Sequence, residues 1–216
     1  PGQTVVLLGG TYYPTRSVII ERGNNGLPNK PKMVKSDKET RPIFDFGSTG
    51  SAGMQVWGDW WVIEGFDITN TQSNVKGLQI AGNHNIIRNL RVYRCGDTGI
   101  QISGTSTEGP EKWPSYNIVE GCVSFDNCDP AANNADGFAA KLTSGEGNVF
   151  THCIGYSNID DGWDLYTKID SGPIGAVLIE QCVAFKNGSL SDGSGNGDGN
   201  GFKLGGDGIS VEHVLR

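Results

Sequence analysis

The 216-residue sequence lacks what helical and membrane-spanning proteins need. No apolar run approaches the ~20 residues of a membrane helix. No segment sustains a helical period. Charged residues make up only 19%, too few for a charge-rich disordered chain or a coiled coil. Basic side chains are in deficit, 17 Lys and Arg against 24 Asp and Glu, and the net charge is −7. That balance argues against duplex nucleic acid as a partner, since phosphate binding needs a concentrated basic face, and it gives no reason to expect an anionic membrane surface. Five cysteines cannot all pair, and their spacings do not match a zinc site. No secretory signal opens the chain; its start at Pro1 suggests an end left by removal of one.

Glycine and asparagine are abundant instead, with 33 Gly, roughly twice the usual share, and 17 Asn. They fall in a repeat. The segments WVIEGFDITNT, NIIRNLRVYRC, NIVEGCVSFDN, NVFTHCIGYSN, VLIEQCVAFKN and ISVEHVLR align with Phe66, Leu90, Cys122, Cys153, Cys182 and Val214 in one column. The steps are 24, 32, 31, 29 and 32 residues. Apolar residues at every second position mark each copy as short half-buried strands. Ile86, Leu90 and Val92 are expected on one face, above Ile118, Cys122 and Ser124. A second strand follows, opened by glycine, as in Gly77-Leu78-Gln79-Ile80, Gly99-Ile100-Gln101-Ile102, Gly137-Phe138-Ala139-Ala140, Gly162-Trp163-Asp164-Leu165 and Gly201-Phe202-Lys203-Leu204.

Short strands in units of this length, repeated many times, predict an all-β parallel β-helix over residues 1–216 as one domain. A single coil cannot bury its own apolar face, but a stack can. Strands keep register while turns absorb insertions, here at 103–115, 129–135 and 188–199. Cys122, Cys153 and Cys182 then form an inward column of free thiols, because in-register neighbours rarely offer disulfide geometry. Asn127, Asn158 and Asn187 form a buried amide ladder at a turn. The first 55 residues fit less well. VVLLGGTYY reads as strand, turn and strand, residues 21–41 read as a polar loop, and RPIFDFG and MQVWG are candidate coil strands. The chain stops inside a strand pattern without a capping segment, so it is expected to be an excerpt of a longer protein, truncated at both ends.

Stacking turns spacing into proximity. With the glycine-opened strands in register, Asp136, Asp161 and Asn200 share one column, and Gln79, Gln101, Ala139, Asp164 and Lys203 share an outward one. Asp160 sits beside Asp161. Four carboxylates then crowd a patch ~10 Å across, which like charges tolerate only if protonated or bridged. Each aspartate alone also reads as a local turn cap. Together they suit a hard cation, and Ca²⁺, with 6–8 oxygen ligands, fits better than magnesium. Lys203 reads either as a solvated partner of Asp164 or as a base. A uronic acid polymer gives such a base work, because its C5–H is acidic and the C4 oxygen is a leaving group β to that carbon. Calcium and partial desolvation are expected to lower the pKa of Lys203.

The segments NADGFAAKL, NIDDGWDLYT and GNGFKLGG resemble the pectate lyases of polysaccharide lyase family 9, most strongly over about residues 116–206. The resemblance implies a right-handed β-helix that cleaves polygalacturonate by calcium-dependent β-elimination. It implies that Asp136, Asp160, Asp161 and Asp164 bind calcium and that Lys203 is the base. It also implies a secreted protein, monomeric in its full-length form, acting on an acidic plant cell-wall polysaccharide, either polygalacturonate or rhamnogalacturonan. A β-helical glycoside hydrolase using Asp160 and Asp161 is a rival, but it leaves Lys203 without a task. A non-catalytic sugar-binding β-helix is another, with Trp57, Trp60, Trp61 and Trp113 as exposed stacking platforms, although core or cap packing is the commoner role for such residues. Arg88, Arg94, Lys141 and Lys168 are expected to be solvated surface charges rather than contacts to substrate. GSGNGDGNG reads as a flexible loop that places Asn200 and Lys203.

Overall fold

The computed structural model describes residues 1–37, 39–47 and 52–216. Among these residues the chain winds through three parallel sheets of eight, seven and seven strands. Each coil lays one strand in sheet A, one in sheet B and one in sheet C, as with Ile86–Arg88, Arg91–Tyr93 and Ile100–Ile102. Every strand pairs in parallel with its counterparts on the neighbouring coils. This is the β-helix that the repeat predicts. Among the described residues, no helix is long and apolar enough to cross a membrane.

The turn from sheet A to sheet B is a single left-handed residue in successive coils, Gly65, Asn89, Gly121, His152 and Gln181, with φ between 51° and 86° throughout (φ 85°, 55°, 59°, 54° and 52°). That residue breaks the alternation, because it bends the chain without consuming a full pleat. The expected face of Ile86 and Ile118 is thereby corrected. Both point outward, and Ile87, Val119, Phe150 and Ile179 fill the core beside Leu90, Cys122 and Cys153.

Small and large columns face each other inside. Val92, Ser124, Gly155 and Ala184 form a column along sheet B that narrows to its smallest at Gly155, while Phe138, Trp163 and Phe202 stack along sheet C at 4.5 and 4.9 Å. A Cβ on Gly155 would stand 3.0 Å from the Trp163 ring, so the small column makes room for the large one. All five cysteines are free, including the expected column of Cys122, Cys153 and Cys182. Burial pushes the Cys95 thiol up to about 12, which keeps it unreactive.

The amide ladder is present, with Asn127 donating to Asn158 at 2.8 Å and Asn158 to Asn187 at 3.0 Å. A second ladder runs through Asn85, Asn117 and Asn148 at the entry to sheet A. Two expectations fail. The loop at 21–41 contains a strand, Lys32–Ser36, paired with Thr4–Leu7 and Trp61–Glu64. Val214 aligns with Leu178, not with Cys182, so the last step is four residues out of register; the C-terminal strand belongs to sheet A. ISVEHVLR has no glycine or asparagine landmark to fix its alignment. Trp61 and Trp113 are buried rather than exposed.

Candidate functional site

Sheet C and the turn that leads into it carry the site. Pairing of Gly99, Gly137, Gly162 and Gly201 places Thr98, Asp136, Asp161 and Asn200 in one column, with the amides of Gly99, Gly137 and Gly162 donating to the carbonyls of Asp136, Asp161 and Asn200 one coil on. Glycine is required at Gly99, Gly137 and Gly162, where a Cβ would clash with the next coil, but not at Gly201. A Cβ at Gly162 would stand 2.6 Å from the Gly201 carbonyl oxygen, a distance that no side chain tolerates. The close stacking in turn packs the acidic side chains.

Asp136 accepts from Thr98 Oγ1 at 3.0 Å, and its other oxygen meets the Asp161 backbone N–H at 3.3 Å. Asp161 Oδ1 accepts from both the backbone and side-chain nitrogens of Asn200 at 2.8 Å. Asp160 accepts from the Asp198 N–H at 2.9 Å. Asp164 and Lys203 are register partners on adjacent strands. The Lys203 ammonium sits 3.3 Å from Asp161 Oδ2, 3.5 Å from Asp198 Oδ2 and 5.5 Å from the centre of the Tyr166 ring.

The expected carboxylates are all buried and come together as two overlapping groups. Asp136, Asp161 and Asp164 offer oxygens within 4.8 Å of one another, and so do Asp160, Asp161 and Asp198. Asp161 belongs to both. Burial raises the pKa of Asp136 to about 7, with Asp164 adding to the effect and Lys141 opposing it. Burial also raises Asp160. For Lys203, burial works against the ammonium, but Asp164 and Asp161 outweigh it and hold its pKa above the ordinary lysine range. The Lys203 ammonium is thus held protonated by its neighbours, opposite to the lowering that the sequence suggests.

Two residues here escaped sequence reasoning. Lys141 is not a solvated charge. Its ammonium bonds Asp136 at 2.7 Å and Asp164 at 2.9 Å, with only 12% of the side chain exposed. Its position just past the Phe138–Ala140 strand, one coil from Asp164, was the available signal. Asp198 comes from the GSGNGDGNG loop, which places it as well as Asn200 and Lys203. Arg88 pairs with Glu64 at 2.9 Å, away from this cluster.

Two buried oxygens, Asp161 Oδ2 and Asp164 Oδ1, have no hydrogen-bond partner. The Lys203 ammonium is close to the first but out of line for a bond. Orphaned carboxylate oxygens within an all-oxygen donor set fit a hard cation.

Residues 1–216 match the family described as Pel9A-like, right handed beta helix region. The chain belongs to this family. Among curated Pel9A-like relatives it is 49% identical over 217 residues to pectate lyase L of Thermoclostridium stercorarium, covering all of this chain and 17% of that protein. It is 44% identical over 224 residues to pectate lyase L of Paenibacillus polymyxa, covering 49% of that protein. The chain thus spans less than half the length of either. Among solved structures, the crystal structure of pectate lyase Pel9A superposes with a TM-score of 0.84 at 31% identity, covering all of this chain and 54% of that one. A rhamnogalacturonan lyase superposes with a TM-score of 0.76 at 25% identity, covering 99% and 57%.

Proposed function

We propose that this chain forms the β-helical part of a secreted pectate lyase that cleaves polygalacturonate by β-elimination, with calcium at Asp136, Asp160, Asp161 and Asp164 and Lys203 as the base. The observation that carries the reading is the half-buried Lys203 ammonium beside a carboxylate cluster with two orphaned oxygens. A bound calcium ion would supply positive charge opposite a uronate carboxylate, which acidifies C5–H and stabilises the charge that develops when its proton leaves. Lys203 Nζ accepts the C5 proton. The C–H electron pair becomes the C4–C5 double bond, the C4–O4 bond breaks, and the departing oxygen takes a proton from water. Asp161 and Asp164 now hold Lys203 protonated; with their charge neutralised, that hold is lost and the amine becomes available. The same neutralisation explains how a chain of net charge −7 can receive a polyanion.

The test is ultraviolet absorbance of the unsaturated product from polygalacturonate, with calcium and with a chelator, for wild type and Lys203→Ala. A calcium-dependent rise that the variant loses supports the reading. No rise from a folded, calcium-loaded protein rejects it. The likeness to a rhamnogalacturonan lyase favours a second reading, the same chemistry on a rhamnogalacturonan backbone. Parallel assays on the two polymers separate them.

A further inference from the structure

We propose that Lys141 is a tethered cation: it holds the carboxylate cluster together without metal and weakens the calcium affinity of the site. The inference rests on the calcium reading above. Lys141 reaches Asp136 on its own coil and Asp164 on the next, at 2.7 and 2.9 Å. Both carboxylates are nearly sealed from water, with 0% and 6% of their side chains exposed. Such carboxylates need a counter-charge at all times, and a divalent ion that exchanges with solvent does not provide one in the free state.

The oxygens divide accordingly. Lys141 takes Asp136 Oδ2 and Asp164 Oδ2, and the orphaned pair is Asp161 Oδ2 and Asp164 Oδ1. Asp164 faces the lysine with one oxygen and the open position with the other. A calcium ion bound to the second oxygen therefore meets a fixed positive charge one carboxylate away. That repulsion lowers affinity, and it is strong in so dry a place. Lys203 also faces the open position, 3.3 Å from Asp161 Oδ2, but it is more exposed and pairs Asp161 and Asp198, so only Lys141 ties Asp136 to Asp164.

The experiment pairs calcorimetric calcium titration with thermal melting of the full chain in a chelator, for wild type, Lys141→Met and Lys141→Arg. In chelator Lys141→Met melts about 6 °C or more below wild type, because two buried carboxylates lose their counter-charge. It binds calcium at least about tenfold more tightly, and calcium restores its melting temperature. Lys141→Arg, which keeps the charge, stays near wild type in affinity. Unchanged or weaker calcium binding by Lys141→Met overturns the inference, since a merely structural lysine would loosen the ligands. An unchanged melting temperature in chelator overturns it too. Where Lys141→Met does not fold without metal, Lys141→Gln carries the same comparison, neutral but still a donor. Absence of calcium binding to the wild type, detected in the same titration, overturns the calcium reading and this inference together; binding to wild type without a gain in the variant overturns this inference alone.

Discussion

Lys203 is the register partner of Asp164, yet its ammonium turns to Asp161 Oδ2, 3.3 Å away and two residues before the Trp163–Asp164 strand. Asp164 is left to Lys141. The two lysines thus divide the cluster, the buried one neutralising it and the half-buried one standing at its open side. Lys203→Ala is expected to lower kcat about 100- to 10,000-fold, the usual worth of a positioned base. Lys203→Arg is expected to fail as well, because a guanidinium stays charged. Melting temperatures should move by no more than about 2 °C, since the side chain is partly solvated. Product absorbance and thermal melting check both; an active Lys203→Arg would remove lysine as the base.

Asp161 supplies both acidic groups and is fully buried. Asp198 enters only one of them and is 67% exposed. Asp161→Asn is therefore expected to weaken calcium binding by about tenfold or more, and Asp198→Asn by less than about threefold. Titration of the two variants side by side gives the ratio. Equal losses would mean that the loop carboxylate ligates as fully as the buried one.

Much of this site is legible in the sequence because a stack of coils leaves little freedom. Once Gly137, Gly162 and Gly201 are aligned, Asp136, Asp161, Asp164 and Lys203 must fall on three neighbouring coils, and they do. Lys141 was not legible, because its place depends on a four-carbon side chain folding back across a coil rather than on strand register. Asp198 sits in a long loop, where spacing carries no geometry. The inward face of sheet A was misread because one left-handed residue, such as Asn89, resets the alternation between two strands. The Lys32–Ser36 strand was missed because Lys32, Lys35 and Ser36 hide its pattern; pairing with both neighbours makes it a strand.

Asp136 gives the metal-free protein a pH dependence. Its folded pKa, raised to about 7 by burial, exceeds the ~3.9 of an unfolded aspartate. The folded state therefore binds its proton more tightly. The resulting stability is fully present below about pH 4 and is lost as pH rises through 7. In chelator the melting temperature is expected to fall across that window, and the slope to flatten in Asp136→Asn. A wild-type curve that rises with pH between 5 and 7, steepening rather than flattening relative to the variant, would contradict this assignment.

The asparagine ladder sets a gradient of stability along the solenoid. Asn158 is fully buried; it donates to Asn187 Oδ1 at 3.0 Å and to the Ser124 carbonyl at 3.2 Å, and it accepts from Asn127 at 2.8 Å. Truncating it strands polar groups on both neighbouring coils. Asn187 is half-buried, receives the Asn158 amide, and itself donates to the Gly155 carbonyl at 3.2 Å. Its truncation opens groups that water can reach. Buried unsatisfied groups cost about 1–3 kcal/mol each, so Asn158→Ala is expected to lower the melting temperature by about 5–10 °C and Asn187→Ala by less than half of that. In a solenoid each coil is coupled chiefly to its neighbours, so the difference reflects local water access rather than position in the chain. Thermal melting of the two variants in calcium decides it: equal losses would mean that the ladder acts as one cooperative unit, with no gradient from its buried to its solvated end.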